Sequence, residues 1–325
     1  MRFSLTAEQQ AFARALDGIL GGADVPAVNR HAADGKYEPV TALWGRLAEA
    51  GVAGLLVPED LGGTGGTAID LVLAFDRLGF HGVPGPWIET AAVGAILAEP
   101  ELQAAIVDGS ARITVAAPPW TPYALDPDVA TSVYLASDRG FGRADAGERY
   151  ASVDPTRTLA SVSAAEERPR DPSMRARALD TAALACAATL IGAGERMLAM
   201  TVEYVIQRRQ FGRAIGEFQA IKHALADVRV ALDFAHPVLH GAARALAARD
   251  PLAARDVSAA KVVASSAAAA SAAVALQSHG AIGYTREADL SIWYLRTRAL
   301  LGAWGTAGQH RARVLGSLTG PLAGY

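Results

Sequence analysis

The sequence predicts a mostly α-helical protein with a small β domain between two helical parts. Three observations carry this expectation. Long alanine-rich stretches fill residues 175–325, short β-branched runs separated by prolines gather in residues 109–174, and helical patterns alternate with glycine turns in residues 1–108. A chain of 325 residues buries a large core and divides into two or three domains. The expected division is an N-terminal helical domain (1–108), a reduced middle β domain (109–174) and a C-terminal helical bundle (175–325).

In the first zone, Thr6 and Gln9 have capping-box spacing, and Phe12, Leu16 and Ile19 continue one apolar face. Leu43 and Leu47 pair at i+4 on a second helix, with Trp44 pointing toward a different neighbour. Pro58 stops an apolar run. Gly62, Gly63, Gly65 and Gly66 then build a loop before the helix that holds Leu71, Phe75 and Leu78. That loop is either a plain interhelical turn or one that lets a ligand approach the backbone.

The second zone contains the β-type runs Arg112 to Ala116 and Thr131 to Leu135, divided by Pro118, Pro119, Pro122 and Pro127. Tyr150 to Val153 and Leu159 to Val162 predict two more strands about an Asp154-Pro155 turn. The expected sheet is small and antiparallel, and Glu166 to Pro172 reads as a linker. The third zone predicts helices near 176–209, 217–248, 251–279, 286–300 and 304–317. Asp250-Pro251 offers an N-cap with proline at the first helical position, and Gly280 a C-cap.

Composition excludes several classes. With 51% apolar and 19% charged residues the chain is not of disordered composition. A net charge of −3 gives no electrostatic reason for a nucleic acid or an anionic membrane as partner. Cys186, the one cysteine, excludes an internal disulfide and a cysteine-based zinc site, so no metal is expected. Met1 to Glu8 lacks the apolar core of a signal peptide. The apolar runs Ala182 to Leu190 and Ala267 to Ala275 are short for a bilayer span. These features together predict a soluble, cytoplasmic protein.

Two motifs carry chemistry. In Arg208-Arg209-Gln210-Phe211-Gly212, followed by Ile215-Gly216-Glu217-Phe218-Gln219, an arginine ends one helix and a glutamine opens the next. A guanidinium there makes paired, charge-assisted hydrogen bonds to phosphate, and the following helix N-terminus favours the same anion. The ordinary alternative is a solvated arginine near a helix C-terminus. The second motif is Gln277-Ser278-His279-Gly280-Ala281-Ile282-Gly283-Tyr284. Its helix ends at glycine, the backbone is exposed beyond, and the Gln277 amide suits adenine or ribose. His279 reads equally as a capping or packing histidine. Thr285 and Glu287 have the look of a cap for the next helix, and Arg296 and Arg298 of ion-pair or interface residues.

These motifs resemble the RxxFG…Q and Q-x-x-G-G-x-G-[YF] elements of the acyl-CoA dehydrogenase family, and Pro58-Glu59 with its glycines resembles a loop of that family's N-terminal domain. The helical–β–helical order is also the family's. The resemblance implies an acyl-CoA dehydrogenase-like fold with a C-terminal four-helix bundle, FAD as cofactor and an acyl-CoA substrate. It implies that Arg208 binds the FAD pyrophosphate and Gln219 the nucleotide portion across a subunit interface, with Phe211 supporting the turn or packing on the cofactor. Gln277, His279, Gly280 and Ala281 would contact the same FAD, and Thr306 is a further cofactor candidate. Ala281 replaces the family's second glycine, which would strain the backbone if φ were positive there.

The sequence departs from the family where the chemistry is concentrated. The family's glutamate base lies in a Y-E-G-T segment, and the match here, Ala303-Trp304-Gly305-Thr306, puts Trp304 in its place. The alternative base position falls on Ala182. Asp180 is close in sequence but out of helical phase. The catalytic residue therefore stays unassigned. The flavin-contacting segments L-T-E-P-x-A-G-S-D and W-I-[TS]-N have no match between Glu101 and Pro172. The chain thus resembles the short members of heterotetrameric pairs, in which a longer acyl-CoA dehydrogenase subunit supplies the flavin-ring contacts and the glutamate. Bulky acyl groups such as steroid side chains are substrates of such short members. Two alternatives remain open at this point: self-association into a homodimeric flavoenzyme that uses Asp180 or another carboxylate, and a flavin-free assembly or regulatory subunit.

Overall fold

The computed structural model describes residues 5–164 and 166–319. Residues 1–4, part of the N-terminus read for a leader, lie outside them. Helix α1 (Ala7–Gly21) starts at the expected capping box: Thr6 Oγ1 accepts from Gln9 N at 3.2 Å, and Gln9 Oε1 accepts from Thr6 N at 3.1 Å. Helices α2 (Val25–Ala33), α3 (Glu38–Glu49) and α4 (Ala68–His81) follow. A π-helical turn (Glu89–Gly94) then runs into α5 (Ala95–Leu97), and α6 (Pro100–Val107) closes the group. On α3, Leu43 and Leu47 enter the core while Trp44 stacks on Trp87 with ring centroids 3.7 Å apart.

The glycine loop before α4 packs closely on the segment that precedes it. A Cβ on Gly63 would lie 2.1 Å from the Val57 carbonyl oxygen, so the loop folds against its own chain. Its glycines are used for that closure.

Five strands form one sheet in the order β1-β3-β4-β5-β2: β1 (Ile113–Ala116), β2 (Ala124–Leu125), β3 (Ser132–Ser137), β4 (Gly140–Ala151) and β5 (Thr158–Ala164). The expectation of an all-antiparallel sheet is corrected at one edge. β1 and β3 are parallel, Ile113 opposite Ser132, because β2 lies between them in sequence and pairs at the far edge with β5. β4 is also longer than the run expected at 150–153. Its first half contains glycines and charges of low strand propensity, and pairing with β3 on one side and β5 on the other holds it.

The C-terminal part consists of α7 (Pro172–Gln207), a two-stranded hairpin of β6 (Arg209–Gln210) and β7 (Arg213–Ala214), α8 (Gln219–Ala247), α9 (Ala253–His279), α10 (Leu290–Leu300) and α11 (Ala307–Thr319). Small residues let these helices approach closely. Ser271 Oγ on α9 donates to the Gly194 carbonyl of α7 at 2.7 Å, and a Cβ on Gly192 would lie 1.9 Å from the Asp76 carbonyl of α4. α7 and the span Ala253–Tyr284 are long and apolar enough to cross a membrane by length and composition, but 72% and 56% of their apolar windows are buried in the protein.

Two expected caps differ. α9 begins at Ala253, because Asp250 accepts from Leu252 N at 2.8 Å and holds a turn ahead of the helix. α10 begins at Leu290, and Thr285 donates instead to the Ile282 carbonyl at 2.9 Å. Arg296 of α10 is the ion-pair residue it was read to be, and it is buried. Its guanidinium pairs with Asp154 and donates to Thr156 Oγ1 at 2.6 Å, Asn29 Oδ1 at 3.0 Å and the Val83 carbonyl at 2.9 Å. One side chain thereby ties the β4–β5 turn, the N-terminal helices and the bundle together.

Candidate functional site

The first motif forms one open end of the bundle. α7 stops at Gln207, Arg208 turns to extended backbone with ψ 121°, and its N–H still donates to the Tyr204 carbonyl at 2.8 Å. The chain then reverses through Phe211 (φ 52°) and Gly212 (φ 82°) between β6 and β7. Both central residues are left-handed, as a tight type I′ hairpin turn requires. Glycine adopts this freely. For phenylalanine it costs on the order of 1 kcal/mol. The ring that bears this strain is 90% exposed, with the Phe218 ring edge-on to it at 6.2 Å between centroids. α8 opens at Gln219 with no side-chain cap, leaving its first amides available to an anion. Among the described residues, the exposed side chains of Arg208, Gln219 and Gln277 have no hydrogen-bond or ion-pair partner.

The second motif lies at the same end. Tyr204 of α7 stacks on His279 of α9 with centroids 4.2 Å apart. His279 Nδ1 engages the Ala275 carbonyl at 2.8 Å, so the histidine packs the two helix ends together. Gly280 takes φ 65°, ψ −143°, a conformation reserved for glycine, and a Cβ there would meet nothing within 4 Å. Ala281 follows in a 3-10 turn (Gly280–Tyr284) without a positive φ, so the replacement of the second glycine brings no strain. An unpaired guanidinium, open helix amides, two free amide side chains and uncovered glycine backbone match the donors that a dinucleotide phosphate needs.

Thr306 stands apart from this group. Its hydroxyl and N–H are engaged with Gln309 at the start of α11. It belongs to the loop of Trp304, next to Cys186 in the middle of α7. Cys186 Sγ approaches the Ala303 carbonyl at 3.7 Å. The 22 residues from there to Arg208 span about 33 Å of helix.

That loop is held tightly. Trp304 takes φ 54° and is 2% exposed. Its N–H donates to Thr121 Oγ1 at 3.0 Å, and its carbonyl engages His310 Nε2 at 2.9 Å. The fully buried Lys261 donates to the Leu300 and Gly305 carbonyls at 3.2 and 3.3 Å. Burial pushes the His310 imidazole down to about 4, so it is neutral at ordinary pH.

Beside Trp304 lies a cavity of about 310 Å³. Two charged residues that the sequence reading did not single out line it. Glu89, on the π-helical turn, is 2% exposed and its Oε2 has no partner; Arg157, after β4, is 9% exposed and its Nη1 has none. Burial pushes the Glu89 carboxyl up to about 7, against the opposing pull of Arg157 and a hydrogen bond from Trp304. A lone glutamate inside the apolar stretch Trp87-Ile88-Glu89-Thr90-Ala91-Ala92-Val93 was the available signal. Asp180, weighed as a base, is instead held by the Arg313 guanidinium, whose Nη2 donates to Oδ2 at 3.1 Å.

Comparisons with known proteins agree with this architecture. The family model described as "Acyl-CoA dehydrogenase, N-terminal domain" matches residues 6–100, and that described as "Acyl-CoA dehydrogenase, C-terminal domain" matches residues 173–318. The chain is 35% identical over 265 residues to acyl-CoA dehydrogenase IpdE2 of Mycobacterium tuberculosis, covering 78% of this chain and 80% of that protein. A chain in the crystal structure of the ChsE4-ChsE5 complex from Mycobacterium tuberculosis superposes with a TM-score of 0.84 at 24% identity, over 99% of this chain and 100% of that one. A chain of the Tcur3481-Tcur3483 steroid ACAD G363A variant does so with 0.81 at 23% identity, over 98% and 99%. At these identities the two structures bear on the fold alone.

Proposed function

Because the chain belongs to the acyl-CoA dehydrogenase family, we propose that it serves as one subunit of a flavin-dependent enzyme that oxidises an acyl-CoA to the trans-2-enoyl-CoA. The enzyme class follows from the family, and the division of labour is our reading. This chain supplies the interface half of an FAD site whose flavin-ring contacts lie on a longer partner subunit.

The observation that carries the reading is the unpaired Arg208 beside the uncapped start of α8, at the one end where Phe211 is held strained and exposed. Around it Ile206 (66% exposed), Tyr284 (74%) and Ile282 (45%) give the apolar surface that a companion subunit would cover. In this role Arg208 neutralises the diphosphate. The Gln219 and Gln277 amides hold the nucleotide portion, and Gly280 and Ala281 leave room for it to approach the backbone. Phe211 packs on the cofactor or the partner. Bound FAD supplies the hydride acceptor for the β-hydrogen. Removal of the α-proton requires a carboxylate. Trp304 and the fully buried Ala182 occupy the two positions matched to the family's base, so the partner provides it.

The ChsE4-ChsE5 complex supports an assembly of two different chains for this fold, and the steroid ACAD supports bulky acyl groups as the substrate class. A cytoplasmic location is part of the same reading. The test is co-expression of this chain with candidate partners, followed by flavin measurement on the purified pair. Arg208→Ala and Gln219→Ala lower bound flavin in the pair while leaving its assembly intact. Full retention of flavin in both variants makes the chain a scaffold and ends the proposal.

A further inference from the structure

A second cavity, of about 340 Å³, lies between the glycine loop, the first turns of α7 and the end of α8. It shares no lining residue with the cavity beside Trp304, and Arg177 on its wall is about 45 Å of helix from Arg208. The walls are aliphatic, from Leu56, Pro58, Ile96, Met174 and Leu246, with no aromatic ring and no carboxylate among the lining residues. The charged group on the wall is the Arg177 guanidinium, which has no hydrogen-bond or ion-pair partner among the described residues. A second guanidinium comes close to it. α8 closes where the Arg249 N–H donates to the Leu246 carbonyl at 3.2 Å and the Asp250 N–H to the Ala245 carbonyl at 2.9 Å, and this closure holds Arg249 at φ 53°. Glycine is the ordinary residue at such a position. Arginine bears backbone strain there, and among the described residues its side chain has no partner either. Partial burial and the Arg249 charge both push the Arg177 guanidinium below its ordinary value, so the two cations are near enough to repel each other.

We propose that this cavity is a binding site for a single-chain aliphatic carboxylate, whose head pairs with Arg177 and Arg249 and whose hydrocarbon chain lies among Leu56, Ile96, Met174 and Leu246. Two unpaired guanidiniums that repel each other beside an aliphatic cavity are both stabilised by one anion. Arginine suits a carboxylate because its planar fork bonds both oxygens. The lining selects the rest of the ligand. A nucleotide or another planar aromatic molecule finds no ring to stack on. A cation is repelled by both arginines, and a neutral alcohol leaves their charges unpaired. Met174, unbranched and 40% exposed, gives the wall a side chain that adapts to the ligand. The volume is at the lower end of ordinary ligand sites and suits an acid of medium chain length. The proposal does not depend on flavin at the interface end.

The experiment is isothermal titration of the full chain, with its partner when the two co-purify, using octanoate, 1-octanol and acetate as probes. Octanoate binds saturably, one per copy of this chain. 1-Octanol lacks the charge and acetate lacks the chain, and each binds about tenfold more weakly or worse. Arg177→Gln weakens octanoate by about tenfold or more. Arg249→Gly suits the left-handed turn and removes only the guanidinium, and it weakens octanoate by about threefold. Ala247→Trp, on the exposed part of the wall, fills the cavity and blocks octanoate while both arginines remain. Absence of saturable octanoate binding, equal affinity for octanoate and either other probe, or unchanged octanoate binding in any of the three variants would each overturn the proposal.

Discussion

Replacing Arg296 with methionine removes the guanidinium that pairs with Asp154 inside the protein. Asp154 is 1% exposed, and its remaining partners are the N–H and hydroxyl of Thr156, at 3.0 and 2.7 Å. Breaking a buried ion pair from one side costs about 3–5 kcal/mol, because the other charge stays behind uncompensated. At about 2 °C per kcal/mol for a chain of this size, the melting temperature falls by about 6–10 °C. The pH dependence carries the sign of the effect. In the wild type, burial raises the Asp154 carboxyl, but Arg296 and Arg157 outweigh it and hold the group below its ordinary value. The pair's stabilisation is therefore complete above the unfolded carboxylate range near 4 and is lost as pH falls below it. In Arg296→Met the carboxyl loses the strongest charge that opposes its burial and moves up, so the variant's deficit grows as pH rises from about 4 to 7. Scanning calorimetry at several pH values measures this, with Arg296→Met/Asp154→Asn as the control that recovers part of the loss. A single variant that melts within about 1 °C of the wild type at pH 7, or a deficit that shrinks with rising pH, would mean that Arg296 does not stabilise an ionised Asp154.

Three further outcomes follow from the packing. Gly192→Ala forces a methyl to within 1.9 Å of the Asp76 carbonyl and pushes α4 from α7, costing about 1–3 kcal/mol in urea unfolding. With the Glu89 carboxyl at about 7, the folded state holds a proton that the unfolded chain has released, so stability declines as pH rises between about 4.5 and 7. Glu89→Gln abolishes that decline and gains on the order of 3 kcal/mol over the wild type at pH 8; parallel stability curves would contradict the assignment. Lys261→Met removes the ammonium that ties the Gly305 carbonyl to that of Leu300 and loosens the Trp304 loop. Acrylamide quenching of tryptophan emission should increase, and unchanged quenching would deny the lysine that role.

The helices were legible because their signals are local. α7 was expected at 176–209 and runs Pro172–Gln207, its start set by Asp171, which accepts from Ser173 N at 2.8 Å ahead of a proline. The same Asp-Pro pair at Asp250-Pro251 was read as a helix start, yet α9 waits until Ala253, because the chain leaves α8 through a left-handed Arg249 and first makes a turn. Composition alone does not separate these two cases. The sheet was half legible: the run Leu159 to Val162 was read as a strand and lies within β5, whereas the first half of β4, low in strand propensity, is held by β3 along Gly140 to Arg143 and by β5 from Ala144 onward. Arg208, Phe211 and Gln219 lie within twelve residues of one another, so the sequence could offer them together as candidates. Glu89 stood out as a lone carboxylate in an apolar run, but only the fold brings it to the same cavity wall as Arg157, so nothing in the sequence joined the two.

If the guanidinium of Arg208 serves a flavin held mainly by another polypeptide, the flavin content of the chain alone and of the pair must differ. Absorbance of the chain purified alone, set against the chain purified with its longer partner, should show no bound FAD in the first and one FAD per pair of unlike chains in the second. One FAD bound to every copy of this chain purified alone would contradict the account.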